Sequence, residues 1–164
     1  MSREIFIFGT GAHARKVFQC AVQSGYRVPA FVDENPAATS PVAGVPVLCG
    51  ADMSAMQPSG AGMFVAIGRP DVRRRMMACL AAAGWAFPAL IHPRAYVAPD
   101  AVIADGVLVA AGAVVETGTI VDRGAIVDVG VIIDHDCHIG EFCHLHPGRV
   151  CPPGTEIVAG AAVS

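Results

Sequence analysis

From Val97 to Val163 an aliphatic residue recurs every six positions. Twelve positions follow this interval, and eleven of them are valine, isoleucine or leucine, the exception being Cys151. Small residues usually stand four positions later, and glycine usually stands three positions later. A period of six fits neither a helix nor a flat strand, but it is typical of a parallel β-helix in which three hexads form one triangular coil. Residues eighteen apart then stack, which predicts an inward column of Val97, Val115, Ile133 and Cys151.

One part of this repeat departs from the pattern. Asp136 and Phe142 stand where glycine is the rule. Four of the six histidines fall within twelve residues of the same region: His135, His138, His144 and His146. His135 follows the inward Ile133 by two positions, so we expect it to project outward at a coil corner. A neighbouring carboxylate could fix its tautomer and stabilise the imidazolium of a general base. A surface cluster or a subunit-interface network without chemistry is the alternative interpretation.

The N-terminal half has a β-α-β pattern with a glycine turn at its first junction. Residues 4–8 predict a strand, residues 14–24 a helix, and residues 28–32 a second strand that ends in Asp33 and Glu34. Glycines at such a turn let the backbone approach a phosphate, and the helix N-terminus attracts negative charge. A tight turn without a ligand accounts for the glycines equally well.

The pattern continues as far as residue 91. Further elements are predicted as an edge strand at 45–50, a buried strand at 63–68, a helix from 71 to about 83, and a last strand at 87–91. Asp71 is the expected N-cap of that helix, and at least two of the arginines at 73–75 are expected on its solvated face. We therefore predict a small parallel sheet with helices on its faces over residues 1–91, followed by the β-helix over residues 92–164.

Composition limits the possible partners and location. The sequence is 54% hydrophobic and only 15% charged, so a very regular core or a subunit interface must absorb the excess apolar surface. A net charge of −3 does not indicate the basic surface that nucleic-acid binding requires. We find no membrane-spanning stretch and no signal peptide, and we therefore expect a cytoplasmic location. The six cysteines are interpreted as buried free thiols in a reducing compartment.

Five sequence motifs together resemble a known family. They are Gly9-Thr10-Gly11-Ala12-His13, Ala43 to Gly50, Ala66-Ile67-Gly68 followed by Asp71-Val72-Arg73, Leu90-Ile91-His92-Pro93, and Asp134 to His144. In that order they resemble the hexapeptide-repeat sugar acyltransferases of the sialic acid O-acetyltransferase and bacillosamine N-acetyltransferase type. The resemblance covers nearly the whole chain.

This resemblance implies a homotrimer of left-handed β-helices, each with an N-terminal Rossmann-like nucleotide-sugar domain. It implies acetyl-CoA as the acyl donor and no metal. His135 matches the general base, Asp136 its acidic partner, and His144 and Gly154 the acetyl-CoA site. The positions that match the nucleotide-sugar site are Gly11, Ala12, His13, Asp33, Glu34, Ile67, Gly68 and Arg73.

The implied reaction is transfer of an acetyl group to the amino group of a nucleotide-activated sugar. A sialic-acid-type O-acetyltransferase is one alternative. The repeat is still regular at Ser164, whereas family members continue for further coils, so the β-helix is expected to be incomplete at its C-terminal end. A truncated, non-catalytic trimer that binds nucleotide sugars is therefore a second alternative. A metal hydratase like the γ-class carbonic anhydrases, with zinc held by three of the clustered histidines, is a third.

Overall fold

The computed structural model describes residues 3–50 and 60–164, and its N-terminal part is a parallel sheet with helices packed against it. The strands are β1 (Arg3–Phe8), β2 (Tyr26–Arg27), β3 (Phe31–Asp33), β4 (Val47–Cys49) and β5 (Gly62–Val65), and the helices are α1 (Ala12–Gln23) and α2 (Pro70–Ala82). In the described ranges, none of the helices has both the length and the apolar character needed to cross a membrane.

Strand β1 lies at the centre of this sheet. It pairs with β5 on one side and, at two different heights, with β2 and β3 on the other, while β4 pairs with β3 at the edge. Ile5, Ile7, Phe31 and Phe64 are almost completely buried because both faces of the sheet are covered. The predicted edge strand at 45–50 is confirmed by the position of β4.

Several predicted element boundaries were wrong. In place of the strand expected at 28–32, β2 ends at Arg27 and β3 begins only at Phe31, and Pro29 between them has no N–H to donate to a ladder. Helix α2 begins after Arg69, and no side chain caps it. Asp71 lies instead in the first turn of α2, where its carboxylate pairs with Arg69 at 2.8 Å on the surface. Its negative charge still suits the positive end of the helix dipole.

The C-terminal part is a three-sided parallel β-helix built from two-residue strands. These are β6 (Leu90–Ile91), β7 (Tyr96–Val97), β8 (Val102–Ile103), β9 (Leu108–Val109), β10 (Val114–Val115), β11 (Ile120–Val121), β12 (Ile126–Val127), β13 (Ile132–Ile133), β14 (His138–Ile139), β15 (His144–Leu145), β16 (Val150–Cys151), β17 (Glu156–Ile157) and β18 (Ala162–Val163). Three stacked sheets result. The first holds β7, β10, β13 and β16; the second holds β8, β11, β14 and β17; the third holds β6, β9, β12, β15 and β18.

The predicted inward column is confirmed. Val97 pairs in register with Val115, Val115 with Ile133, and Ile133 with Cys151. Val115, Ile133 and Cys151 have no exposed surface, because each coil covers the aliphatic side chain of the next. These parallel strands in stacked sheets fit the left-handed β-helix that the family resemblance implied.

The strand expected at 87–91 was assigned to the wrong sheet. Only Leu90–Ile91 forms a strand, and it pairs with β9 in the third sheet of the β-helix. The outward residues Leu90, Leu108 and Ile126 of this sheet are fully buried, since they pack into one cluster with β1 and the inner face of α1. The N-terminal part therefore sits on the third sheet.

The cysteines follow the same division between inside and outside. Cys20, Cys137, Cys143 and Cys151 are buried, as expected. The expectation was wrong for Cys79, which is exposed on α2, and for Cys49, which is half-buried in the edge strand β4. The three cysteines of the hexad repeat are all buried, whereas in the N-terminal part only Cys20, on the inner face of α1, is buried.

Candidate active site

His135 lies at a corner of the β-helix with its side chain in solvent. Its Nδ1 is 2.8 Å from Oδ2 of Asp136, and the two side chains are 51% and 72% exposed. Asp136 adopts a left-handed backbone conformation with φ of 58°, which turns the chain at the corner. The hydrogen bond to Asp136 raises the pKa of His135, and the charges of Asp134 and Glu116 add to this effect. The carboxylate of Asp136 thus stabilises the protonated form of the His135 ring.

Neighbouring coils support this pair from both sides. The Asp136 carboxylate lies directly over Gly118 of the preceding coil, where a Cβ atom would collide with it. On the following coil, the Gly154 N–H donates to the carbonyl oxygen of His135 at 3.0 Å. Gly154 thus lies beside the His135 corner and is exposed.

A cavity of about 390 Å³ opens at the carboxyl end of β1. Of the eight positions matched to a nucleotide-sugar site, seven line it: Gly11, Ala12, His13, Asp33, Glu34, Ile67 and Gly68. Helix α1 begins at this cavity, and no side chain caps its first turn, so its N-terminal amides remain available to an anion. Thr10 Oγ1 donates to Asp33 Oδ2 at 2.7 Å and links the glycine turn to the end of β3.

His13 presents an unsatisfied nitrogen at this cavity. Burial, assisted by the positive charge of Lys16, lowers the pKa of His13 to about 4, so the ring is neutral at pH 7. Its Nε2 is buried and has no hydrogen-bond partner among the described residues. A buried polar nitrogen is costly when unpaired, and a ligand oxygen in the cavity would supply the partner.

His144 lies on β15 of the β-helix and faces the cavity wall. Its ring centroid is 6.0 Å from that of His13, and it stacks on His146 at 4.4 Å. A Cβ atom added to Gly68 would lie 3.8 Å from Nδ1 of His144. On its other edge, Nε2 of His144 is 3.5 Å from Oδ2 of the buried Asp128. The cavity wall and the third sheet therefore meet at this ring.

Comparisons with known proteins agree with this geometry. The family model of the PglD N-terminal domain matches residues 4–80. A perosamine N-acetyltransferase mutant from Caulobacter crescentus, solved with CoA and GDP-perosamine, is similar with a TM-score of 0.83 and 28% identity, covering 98% of this chain and 88% of that chain. The chain is similar to the hexapeptide-repeat sugar acyltransferases in sequence and in fold, which supports an acyltransferase enzyme.

Two further solved structures are similar to this chain. The acetyltransferase domain of PglB from Neisseria gonorrhoeae FA1090, in complex with acetyl coenzyme A, is 27% identical with a TM-score of 0.69, covering 99% of this chain and 88% of that chain. WeeI from Acinetobacter baumannii AYE shares the fold at 19% identity and a TM-score of 0.76, covering 91% of this chain and 72% of that chain. No curated protein sequence matches this acyltransferase significantly.

Arg73 does not reach the cavity of this acyltransferase, in contrast to its predicted place in the sugar-nucleotide site. Its side chain is buried, and its Nε donates to the carbonyl of Gly124 at 2.7 Å. The other nitrogens donate to four more carbonyl oxygens, those of Ile67, Gly68, Phe142 and Cys143. Arg73 therefore ties the cavity wall to two coils of the β-helix. Arg74 and Arg75 are exposed, as predicted for two of the three arginines.

The clustered histidines of the acyltransferase have separate partners. Nε2 of His138 lies 2.7 Å from Oδ2 of Asp122 on the second sheet, and this contact is separate from the His135–Asp136 pair. Within residues 3–50 and 60–164, no three or more histidine, cysteine, aspartate or glutamate side chains are grouped so as to hold a metal ion. The described residues of a single chain thus do not form the three-ligand arrangement on which the metal-hydratase alternative depends.

Sequence reasoning missed two residues near the cavity. Lys16 on α1 and Asp128 after β12 form a salt bridge at 2.7 Å, although 112 positions separate them. Asp128 stands one position after the inward Val127, and the sequence shows no nearby residue that would pair with an aspartate there. Only the docking of α1 on the third sheet brings the two side chains together.

Proposed function

We propose that this chain is an acetyl-CoA-dependent N-acetyltransferase that acts on the amino group of a nucleotide-activated sugar. The observation that carries the proposal is the exposed His135–Asp136 pair on the β-helix, with Nδ1 and Oδ2 2.8 Å apart, together with the cavity that the N-terminal part forms at the uncapped start of α1. Relatives of similar fold were solved with CoA and GDP-perosamine and with acetyl coenzyme A. The first of these was crystallised as a mutant in which a histidine is replaced by asparagine.

In the proposed reaction His135 acts as the general base. The uncharged amine nitrogen attacks the thioester carbonyl carbon while Nε2 of His135 removes a proton from the nitrogen. Asp136 accepts the hydrogen bond from Nδ1 and stabilises the imidazolium that forms. The carbon–sulfur bond then breaks, and the proton passes from the imidazolium to the departing CoA thiolate. Binding both substrates at one corner removes much of the entropic cost of a bimolecular step.

The cavity is proposed to hold the nucleotide-sugar diphosphate and nucleoside. Gly11, Ala12 and His13 would meet the diphosphate, since the uncapped helix amides and the neutral His13 ring can all donate hydrogen bonds to phosphate oxygens. Asp33 and Glu34 lie at the nucleoside end. Ile67 and Gly68 form the opposite wall, which Arg73 supports through their carbonyl oxygens rather than by touching the substrate.

The acetyl-CoA site is proposed to include His144 and Gly154. His144 lies beside Gly68 of the cavity wall, and the Gly154 N–H donates to the carbonyl oxygen of His135 at 3.0 Å. We also propose a homotrimer in which acetyl-CoA binds between neighbouring β-helices. The first sheet offers an exposed apolar column for such an interface: Tyr96, Ile132 and Val150 are 51%, 42% and 53% exposed.

Replacing His135 by alanine tests this proposal. The assay is release of the CoA thiol from acetyl-CoA in the presence of GDP- and UDP-linked amino sugars. Because the general base is lost while an exposed corner is altered, kcat should fall by about 10²–10⁴-fold with an unchanged melting temperature. His138→Ala, which disrupts the other exposed His–Asp pair, is the matched control and should retain activity. Full activity in His135→Ala, or no thiol release by the wild type with any such sugar, would overturn the proposal.

A further inference from the structure

Next to His144, the buried carboxylate of Asp128 forms an ion pair with the partly exposed side chain of Lys16. Asp128 is 3% exposed, and its carboxylate accepts hydrogen bonds from Lys16 Nζ at 2.7 and 2.9 Å. The same carboxylate lies 3.5 Å from His144 Nε2 and also accepts the Val129 N–H at 2.7 Å. Such a cluster is expensive to bury unless each charge is partnered. The active site as proposed above makes no use of this pair.

We propose that Asp128 is a positioning residue that fixes the tautomer and orientation of His144, and that Lys16 balances its charge. A carboxylate can only accept, so the nitrogen facing it must carry the hydrogen. Nε2 of His144 is then the N–H, and the uncharged ring presents Nδ1 as an acceptor on the edge that faces Gly68. This inference rests on the proposed function, in which His144 lies at the acetyl-CoA site.

The surrounding charges are consistent with a permanently ionised Asp128. Burial alone would raise its pKa, but hydrogen bonds from His144, Lys16 and the Val129 N–H hold the pKa of Asp128 well below its usual range. Lys16 approaches from α1 and His144 from β15, and His13 on α1 also feels the carboxylate. Lys16 has the opposite effect on His13 and helps to lower its pKa. The ion pair thereby leaves His13 neutral beside an anionic Asp128.

The pair also crosses the junction between the two parts of the molecule. Lys16 belongs to α1, whose N-terminus lines the cavity, whereas Asp128 follows β12 in the third sheet. Arg73 spans the same junction on the α2 side through the carbonyl of Gly68. The ring of His144 thus lies between two fixed groups. The Asp128 carboxylate faces its Nε2 edge, and Gly68, whose carbonyl is held by Arg73, faces its Nδ1 edge. A ring held in this way cannot change tautomer or turn over without losing the Asp128 contact.

Nitrogen-15 NMR of histidine-labelled protein tests the inference without substrate. The wild type should show His144, assigned with a His144→Gln variant, as the Nε2–H tautomer. In Asp128→Ala the carboxylate is absent, so the signal should move toward a mixture of tautomers, and KM for acetyl-CoA should rise about tenfold. Lys16→Met leaves the carboxylate unbalanced, and the uncharged double variant Lys16→Met with Asp128→Asn should recover activity relative to Lys16→Met alone.

Arg27→Met is the matched control, since Arg27 also pairs with a carboxylate, that of Glu4, but on the exposed face of β2. It should change neither the His144 signal nor KM. A wild-type His144 in the Nδ1–H tautomer would overturn the inference even if every Asp128 variant failed to fold. An Asp128→Ala protein with unchanged tautomer and KM would do the same. The tautomer measurement needs no turnover and does not depend on His135, so a failed His135→Ala test remains a separate outcome.

Discussion

Asp136 and Phe142 occupy corresponding corners of successive hexads, yet their side chains have opposite environments. Both adopt the left-handed backbone conformation, with φ of 58° and 56°, that glycine adopts at the equivalent corners. Phe142 is 5% exposed and belongs to the apolar cluster under α2, with Met77. Asp136 has a side chain 72% exposed and contacts His135. The left-handed corner at Phe142 thus places a ring in the apolar core, whereas the one at Asp136 places a carboxylate on the surface.

The two corners differ in whether burial of the side chain offsets the free-energy cost of the left-handed backbone, and this difference indicates their roles. A residue other than glycine in this conformation costs on the order of 1 kcal/mol. At Phe142 the buried ring offsets that cost, and the guanidinium of Arg74 lies 5.1 Å above it. At Asp136 no burial does so, and the carboxylate instead orients the ring of His135. A strained corner without structural compensation indicates a functional residue, which agrees with the proposed general-base pair.

The largest effect is expected from Arg73→Met, which tests the packed corner. Arg73 donates to the carbonyl of Phe142 at 2.7 Å and to four other carbonyl oxygens, so its loss leaves several buried acceptors unpaired. We expect a loss of roughly 4 kcal/mol in the free energy of unfolding, measured by urea denaturation. Arg75→Met, at an exposed position on the same helix, should change it by less than about 0.5 kcal/mol. A loss below about 1 kcal/mol for Arg73→Met would show that the β-helix holds α2 without this residue.

Glycine substitutions at the two corners should act in opposite directions on stability. Phe142→Gly relieves the strained φ but removes a buried ring, and we expect a net loss of about 3 kcal/mol in the free energy of unfolding. Asp136→Gly relieves the same strain at an exposed position, and we expect a gain of up to about 1 kcal/mol. Its kcat should nevertheless fall about 100-fold, because His135 loses its partner. Two losses of similar size would refute the functional assignment of the Asp136 corner.

The same two corners show how far sequence reasoning reaches. The hexad period alone predicts the inward column and the outward direction of His135, since periodicity specifies which way a side chain points. It also marks Asp136 and Phe142 as exceptions. It cannot separate them, because Phe142 is defined by contacts with Met77 and Arg74 from a distant helix.

Long-range docking accounts for the other discrepancies as well. The buried guanidinium of Arg73 is partnered by carbonyls of coils about 50 and 70 positions away, and the pair of Lys16 with Asp128 spans 112 positions. Strand β6 looked like the end of the N-terminal sheet because Leu90 is apolar in either sheet. The cavity was predictable, in contrast, because its residues lie in short motifs that end neighbouring parallel strands.

Effects of intermediate size are expected from alanine substitutions of Gly124 and Gly118, the glycines that lie against Phe142 and Asp136. A Cβ at Gly124 would lie 2.5 Å from the Phe142 ring and 3.2 Å from Met77 Sδ, neither of which has room to move. We expect Gly124→Ala to cost about 2 kcal/mol of unfolding free energy. At Gly118 the Cβ meets the end of the Asp136 side chain, which can swing into solvent. Gly118→Ala should cost only about 1 kcal/mol, for the strained φ alone, yet lower kcat by displacing Asp136. Equal stability losses would contradict the distinction.

The smallest effect is expected from Asp136→Asn, which leaves the exposed corner its shape and removes only its charge. His135 must be unprotonated to act as a base, and the Asp136 carboxylate raises the pKa of His135. In the wild type kcat/KM therefore falls as pH falls through that raised pKa. Asp136→Asn removes the raising effect, so the acidic limb of the profile should move to lower pH. The plateau should fall by about tenfold, since the amide oxygen can still accept from Nδ1.

The pH profile distinguishes a general-base pair from a merely structural one. If Asp136 only shaped the corner, Asp136→Asn would lower the rate equally at every pH and the limb would stay in place. Phe142→Leu provides the comparison from the packed corner, because it changes stability without changing any charge near His135. When it is measured at a temperature at which the variant is folded, the pH profile of Phe142→Leu should have its acidic limb at the same pH as the wild type. A limb that moves with Phe142→Leu but not with Asp136→Asn would reverse the assignment of the two corners, because the carboxylate would then have no influence on the proton affinity of His135.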